Sequence, residues 1–152
     1  MARKVHENIS SFESIALTGV TIEERLASIA TAILRKVLAA ETVGLCRATV
    51  AEARRFPDLA ASVHQMARGR ASEAVGRLLG EVAETDAMGG LPAFAADRRA
   101  TTAYQFIELI VLPMLMRALF GENLTALRAE IGPHVARTVA FFLAACRHGG
   151  VN

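Results

Sequence analysis

Apolar side chains along this chain recur at intervals of three and four residues, and no stretch alternates as a strand does. That period predicts one helix after another. The first is expected from Arg3, with Val5, Ile9, Phe12 and Ile15 or Ala16 along one side, and Gly19 ends it. The sequence Thr21-Ile22-Glu23-Glu24 reads as a capping box, a hydroxyl for the exposed N–H groups and a glutamate reaching back. The helix it opens runs to about Ala40, with Leu26, Ile29, Ile33 and Val37 as its buried stripe. A third spans roughly Glu41 to Phe56, with Val43, Cys46, Val50 and Ala53 inward, and Pro57 stops it or starts the next. The fourth is long, from about Asp58 to Thr85. Gly69, Gly76 and Gly80 weaken it by up to ~1 kcal/mol each relative to alanine, and a bend or close helix contact is expected near Gly69. Residues 88–96 form an irregular connection. A fifth helix covers about Asp97 to Phe120, capped by Gly121. The sixth covers about Asn123 to Arg147, with Gly132-Pro133 marking a kink or a late true start. The expected architecture is all-α, about six helices in an orthogonal bundle, one domain over residues 1–152.

The last two helices carry more apolar surface than a single core-facing stripe explains. In the fifth, Tyr104, Ile107, Glu108, Val111, Leu115 and Ala118 share one face, and Phe106, Ile110, Pro113, Arg117 and Phe120 share another. In the sixth, Ile131, Val135, Thr138, Phe142 and Ala145 lie on one side, with Val139, Phe141 and Cys146 turned away. A surface helix needs one apolar stripe about 100° wide. The second face calls for another subunit. Twofold pairing is the commonest solution, so a homodimer is expected through a four-helix interface. Its candidate residues are Phe106, Ile110, Pro113, Arg117, Phe120, Val135, Val139, Phe141 and Phe142. Central placement of both helices within a monomer is the alternative.

Composition narrows the class further. Apolar residues make up 53% and charged ones 21%, which excludes a disordered tail. The net charge of +2 comes without a clustered basic face, so nothing here reads as a direct nucleic-acid surface. Cys46 and Cys146 lie too far apart for a zinc pattern, and two cysteines are too few for a disulfide framework. They read as small buried apolar residues in a reducing compartment. The first ten residues hold no apolar run of the kind a signal peptide needs. The apolar stretch from Phe106 to Phe120 is interrupted by Glu108, Pro113 and Arg117, and falls short of the ~20 residues of a membrane span. A soluble, cytoplasmic protein without membrane contact is expected.

Catalytic and metal motifs are missing. There is no phosphate loop, no nucleophile elbow and no HExxH. His6, His64, His134 and His148 are scattered, and Glu13, Glu23, Glu24 and Glu41 do not build the ExxH pairs of a di-iron bundle. No catalytic residue, metal or cofactor is assigned. Two polar pairs stand out at helical spacing. His64 and Arg68 fit either an anionic ligand or an ordinary surface pair. Tyr104 and Glu108 fit either ligand-orienting groups in an apolar pocket or a buried tyrosine bonded to a carboxylate at a helix edge.

From Arg3 to Cys146 the pattern resembles the C-terminal effector-binding and dimerisation domain of TetR-family transcriptional regulators. RKVHENI looks like the long helix that follows the DNA-reading domain there. Glu52 to Ala60, EARRFPDLA, is similar to the junction where a helix ends in Phe-Pro. Ala103 to Gly121, AYQFIELIVLPMLMRALFG, looks like the penultimate helix, followed by a last helix ending in AFFLAAC. One departure stands beside the match. The family's N-terminal helix-turn-helix, ending in Tyr-x-x-Phe, has no counterpart in these residues. Ile15 to Leu26 looks a little like its turn, but one residue is missing before Gly19 and no aromatic residue follows where the recognition helix would end.

The resemblance implies the sensor half of a ligand-gated repressor. A small, mostly apolar effector enters between the helices and moves the first of them, which bears on DNA-reading heads outside this chain. The implied pocket is lined by Phe12, Ile33, Cys46, Val50, Met66, Tyr104, Ile107 and Glu108, with Gly69 and Ala103 leaving room. The implied partners are a second copy of the chain, the effector, and DNA only through that separate domain. A stand-alone helical dimer that docks a protein partner without any ligand is the first rival. A small helical enzyme using Glu108 and His64 is the second.

Overall fold

The computed structural model describes residues 21–85 and 90–148, and the expected helix from Arg3, with Phe12, lies outside them. Thr21 opens the described chain as an N-cap. Its hydroxyl accepts from Glu24 N at 3.2 Å, and the Glu24 carboxylate accepts from Thr21 N at 3.3 Å. Helix α1 (Ile22–Val37) follows, with Glu23 and Glu24 in its first turn and Arg35 and Lys36 in its last, both suited to the helix dipole. Ile22, Leu26, Ile29, Ile33 and Leu34 are buried on one face. Each such side chain contributes roughly 1.5–3 kcal/mol relative to exposure.

Helix α2 (Ala40–Glu52) is less committed. Its apolar residues point in several directions, and only Val43 is buried. A turn over 53–56 leads into α3 (Pro57–Thr85), with Pro57 at the tolerant first position. Helix α3 runs unbroken past Gly69, where an added Cβ would meet nothing within 4 Å. The close approach lies about three turns along, at Gly80, where a Cβ would come 3.0 Å from Arg99 Nη1. The expectation of a contact near Gly69 is therefore corrected to Gly80.

A short 3-10 turn (Pro92–Phe94) buries Phe94 completely and leads to α4 (Arg99–Leu119). Thr102, buried at 2%, bonds back to the turn through Oγ1 to Ala93 O at 2.7 Å. Gly121 ends α4 with φ +98°. Its N–H reaches Ala118 O at 3.1 Å and Glu122 N–H reaches Arg117 O at 3.1 Å, the paired bonds of a Schellman cap. The expected sixth helix is two. Helix α5 (Leu124–Ala129), capped by Asn123, stops at Glu130, and α6 (Ile131–Arg147) starts at once. Gly132-Pro133 falls in the first turn of α6, the one place a helix accepts proline without losing a bond.

Helix α4 is the centre of the bundle. It packs most extensively on α3 and also meets α1, α2, α5 and α6, while α1 lies along α6. The Phe106 and Phe142 rings meet at 4.8 Å between α4 and α6. Two arginines tie helix ends together: Arg128 of α5 donates to Leu38 O just past α1 (2.7 and 3.0 Å), and Arg47 of α2 to Ala118 O near the end of α4 (2.6 Å). Strands are absent among the described residues. Helix α4 is 21 residues long and apolar enough to cross a membrane by length and composition, longer than the sequence stretch suggested. Its seven buried residues pack against other helices of the same chain.

Candidate functional site

Helices α4 and α6 divide their apolar residues differently from the sequence expectation. Phe106, Ile110, Val135, Val139 and Phe142, assigned to a partner subunit, are all buried in the chain's own core at 0–4% exposure. The physical reason is that α1, α3 and α6 enclose α4 on adjacent sides, so its core face takes residues from both predicted faces. What remains outside is a stripe of Leu109, Leu112, Pro113, Met116 and Phe120 at helical spacing. Phe120 is 83% exposed, and Phe141 on α6 is 65% exposed. Around Phe141, the outward residues Ala136, Ala140, Ala144 and Ala145 keep α6 slim. Of the nine expected interface residues, Pro113, Phe120 and Phe141 stay on the outside.

Two polar arrangements hold this face in shape. Pro113 lacks the N–H that would reach back one turn, and its ring crowds the preceding carbonyls. In that turn, His134 of α6 donates from Nε2 to Ile110 O at 2.9 Å, pinning α6 to α4. Arg117, expected at a partner, instead spans two carboxylates of its own chain: Glu122 (2.7–3.0 Å) and Glu130 (2.7–3.0 Å). Hydrogen bonds from Arg117 hold both carboxyls below the usual carboxylate range, and the two glutamates raise the Arg117 guanidinium in turn.

The expected ligand residues scatter over three environments. Ile33 (4%) and Ile107 (5%) are core. Cys46 is half-buried, and burial raises its thiol pKa, as it pushes Cys146 up to about 11. Val50 (65%) and Met66 (60%) face outward, correcting the inward assignment of Val50. Their exposure follows from the weak one-sidedness of α2 and from the first half of α3, Pro57 to Arg70, which contains no buried residue. Leu45, Phe56 and Leu59 are exposed in the same region.

Tyr104 and Glu108 do come together, but through a third residue. Arg68 of α3 lies over the Tyr104 ring, with Cζ 4.0 Å from the centroid, and its Nη2 donates to the Glu108 carboxylate. Its Nη1 donates to His64 Nε2 at 2.9 Å. Both sequence pairs thus merge into one cluster across α3 and α4. Tyr104 is 37% exposed and holds a cation, so the buried-tyrosine reading is set aside. Periodicity placed each pair on its own helix; the juxtaposition of the helices was not in it. A separate open groove of ≈ 380 Å³ lies on α1, lined by Ala27, Ser28, Thr31, Ala32 and Arg35, and contains none of the expected ligand residues. No group of three or more His, Cys, Asp or Glu side chains suited to a metal occurs among the described residues.

No curated protein and no solved structure matches the chain. The family model for the AefR-like transcriptional repressor C-terminal domain matches residues 24–147, which takes in all six described helices except Ile22 and Glu23 at the start of α1. Domains of this kind are regulatory and non-catalytic, and belong to repressors. With that match covering most of its length, the chain belongs to the TetR-family C-terminal domains of the AefR-like repressor type.

Proposed function

We propose that this domain senses a small, mostly apolar effector and pairs with a second copy of itself, so that ligand occupancy alters DNA binding by a helix-turn-helix outside these 152 residues. The family match over 24–147 carries the reading. Support for the pairing comes from the outer stripe of α4, which runs about 17 Å from Leu109 to Phe120, and from the exposed Phe141 on α6. Water-exposed apolar stripes of this kind are rare on monomers and mark association surfaces. Twofold packing of α4 and α6 against their copies would bury the stripe in a four-helix interface.

Effector entry is proposed on the side of α2, the first half of α3 and α4, where Tyr104 and Glu108 stand above the buried Ile107. Val50 and Met66 would close over a ligand as the helices approach. Sensing requires that the ligand favour one arrangement of the helices over another, since tight binding to both shifts nothing.

Sedimentation of the wild-type chain and of Leu112→Glu with Phe120→Glu tests the pairing. A wild-type dimer and a folded monomeric variant are expected. A wild-type monomer at tens of micromolar removes it. Uptake of Nile red with a rise in melting temperature tests the sensing reading. A dimer that takes up no apolar probe supports the rival interaction module instead.

A further inference from the structure

Arg68 is surrounded by acceptors. Arginine has donors only, so the Glu108 carboxylate, the Tyr104 ring face and the His64 Nε2 lone pair each act toward it as cation-holding groups. Tyr104 and Glu108 lie one turn apart on α4, and His64 lies one turn before Arg68 on α3. The cluster is reachable from water, with the Arg68 side chain 27% exposed and that of Glu108 38%. Withdrawing the guanidinium opens no fully buried contact of this half-helix, because the stretch of α3 from Pro57 to Arg70 holds only exposed and half-buried residues. What would remain is an aromatic face beside a carboxylate, the chemistry that holds organic cations. Val111 and Leu115, half-buried on the following turns of α4, extend the same side as an apolar wall.

We infer that Tyr104, Glu108 and His64 form a cation site held by the chain's own Arg68, and that the effector displacing it is an organic cation with an apolar body. The inference rests on the effector-sensing reading and names its ligand class. An anionic effector would find one favourable group, Arg68, and would have to take it from Glu108. A cation finds three. Displacement of Arg68 also releases the first half of α3 from α4, which gives the ligand a helix to move.

Tetraphenylphosphonium and tetraphenylborate, alike in shape and opposite in charge, test this by titration calorimetry on the full chain. The phosphonium is expected to bind more tightly than the borate. Arg68→Met, which keeps an apolar stem and removes the internal competitor, is expected to tighten phosphonium binding about tenfold, on the scale of one desolvated cation–π contact. Glu108→Gln in the wild-type background is expected to weaken it by a similar factor, and this arm decides the matter if Arg68→Met fails to fold. Unchanged phosphonium affinity in a folded Arg68→Met, or preference for the borate, overturns the inference. Nile red uptake without charge preference leaves the sensing reading standing and removes this one. Failure of all three probes to bind removes both.

Discussion

The two halves of α3 share one unbroken helix and live in different surroundings. From Ala71 onward, Val75, Leu78, Leu79 and Val82 are buried to 2% exposure or less against α4 and its neighbours. Before it, Leu59 (64%) and Met66 (60%) stand in water, and the Arg68 cluster joins this half to α4 through polar contacts. Apolar residues occur in both halves, so content does not separate them. What separates them is how the facing helix is met: the second half sinks apolar side chains into the core, and the first meets α4 through polar and half-exposed ones. The difference teaches where motion is cheaper: the second half cannot leave without opening the core, whereas the first gives up an ion pair, a ring contact and the partial burial of Ala60 and Val63.

The sharpest test uses the same substitution on each side. Leu79→Ala should lower stability by about 2–5 kcal/mol in urea unfolding, because Leu79 is fully buried and the site cannot collapse freely. A loss under about 1 kcal/mol would mean that the second half is also loosely held. Next comes Gly69→Ala, which should raise stability by about 0.5–1 kcal/mol, since the site is helical and open around the new methyl. Gly80→Ala should gain less, because Arg99 Nη1 at 3.0 Å must move aside. Equal gains at the two glycines would erase the contrast between the halves. Leu59→Ala should change stability by no more than about 0.5 kcal/mol, as expected for a side chain in water. A larger loss would reveal packing over the first half of α3.

The smallest effect is a pH dependence at the far end of α4. Glu122 and Glu130 have carboxyls held low by Arg117, so their contribution is present above the ordinary carboxylate range and is lost as pH falls through their lowered values. Arg117→Met should move both titrations up toward the usual carboxylate range, read by carboxyl carbon NMR shifts on acidification. Titrations that stay where they were would show that Arg117 does not hold them.

Local signals were legible where chemistry acts within one turn. The Thr21 capping box and the Gly121 cap lie where the sequence placed them, because a hydroxyl, a glutamate and a residue free to take positive φ act on their immediate neighbours. The break at Glu130 was half legible. Gly132-Pro133 signalled a late helix start, but nothing local announced that α5 is tied by Arg128 to Leu38, ninety positions away. The candidate sites were least legible. Helix α4 is apolar on several sides, so periodicity says that two faces must be covered and not which one the chain covers itself.

By itself, then, the sequence determined an all-helical chain, its main caps and an excess of apolar surface on the last helices, since these follow from short-range backbone bonding and from side-chain period. Tertiary structure decided that Phe106 and Phe142 are core while Phe120 and Phe141 are surface, and that Arg68 sits between Tyr104 and Glu108. Those outcomes depend on which helix lies opposite which, a relation between residues far apart in the chain that no local pattern encodes.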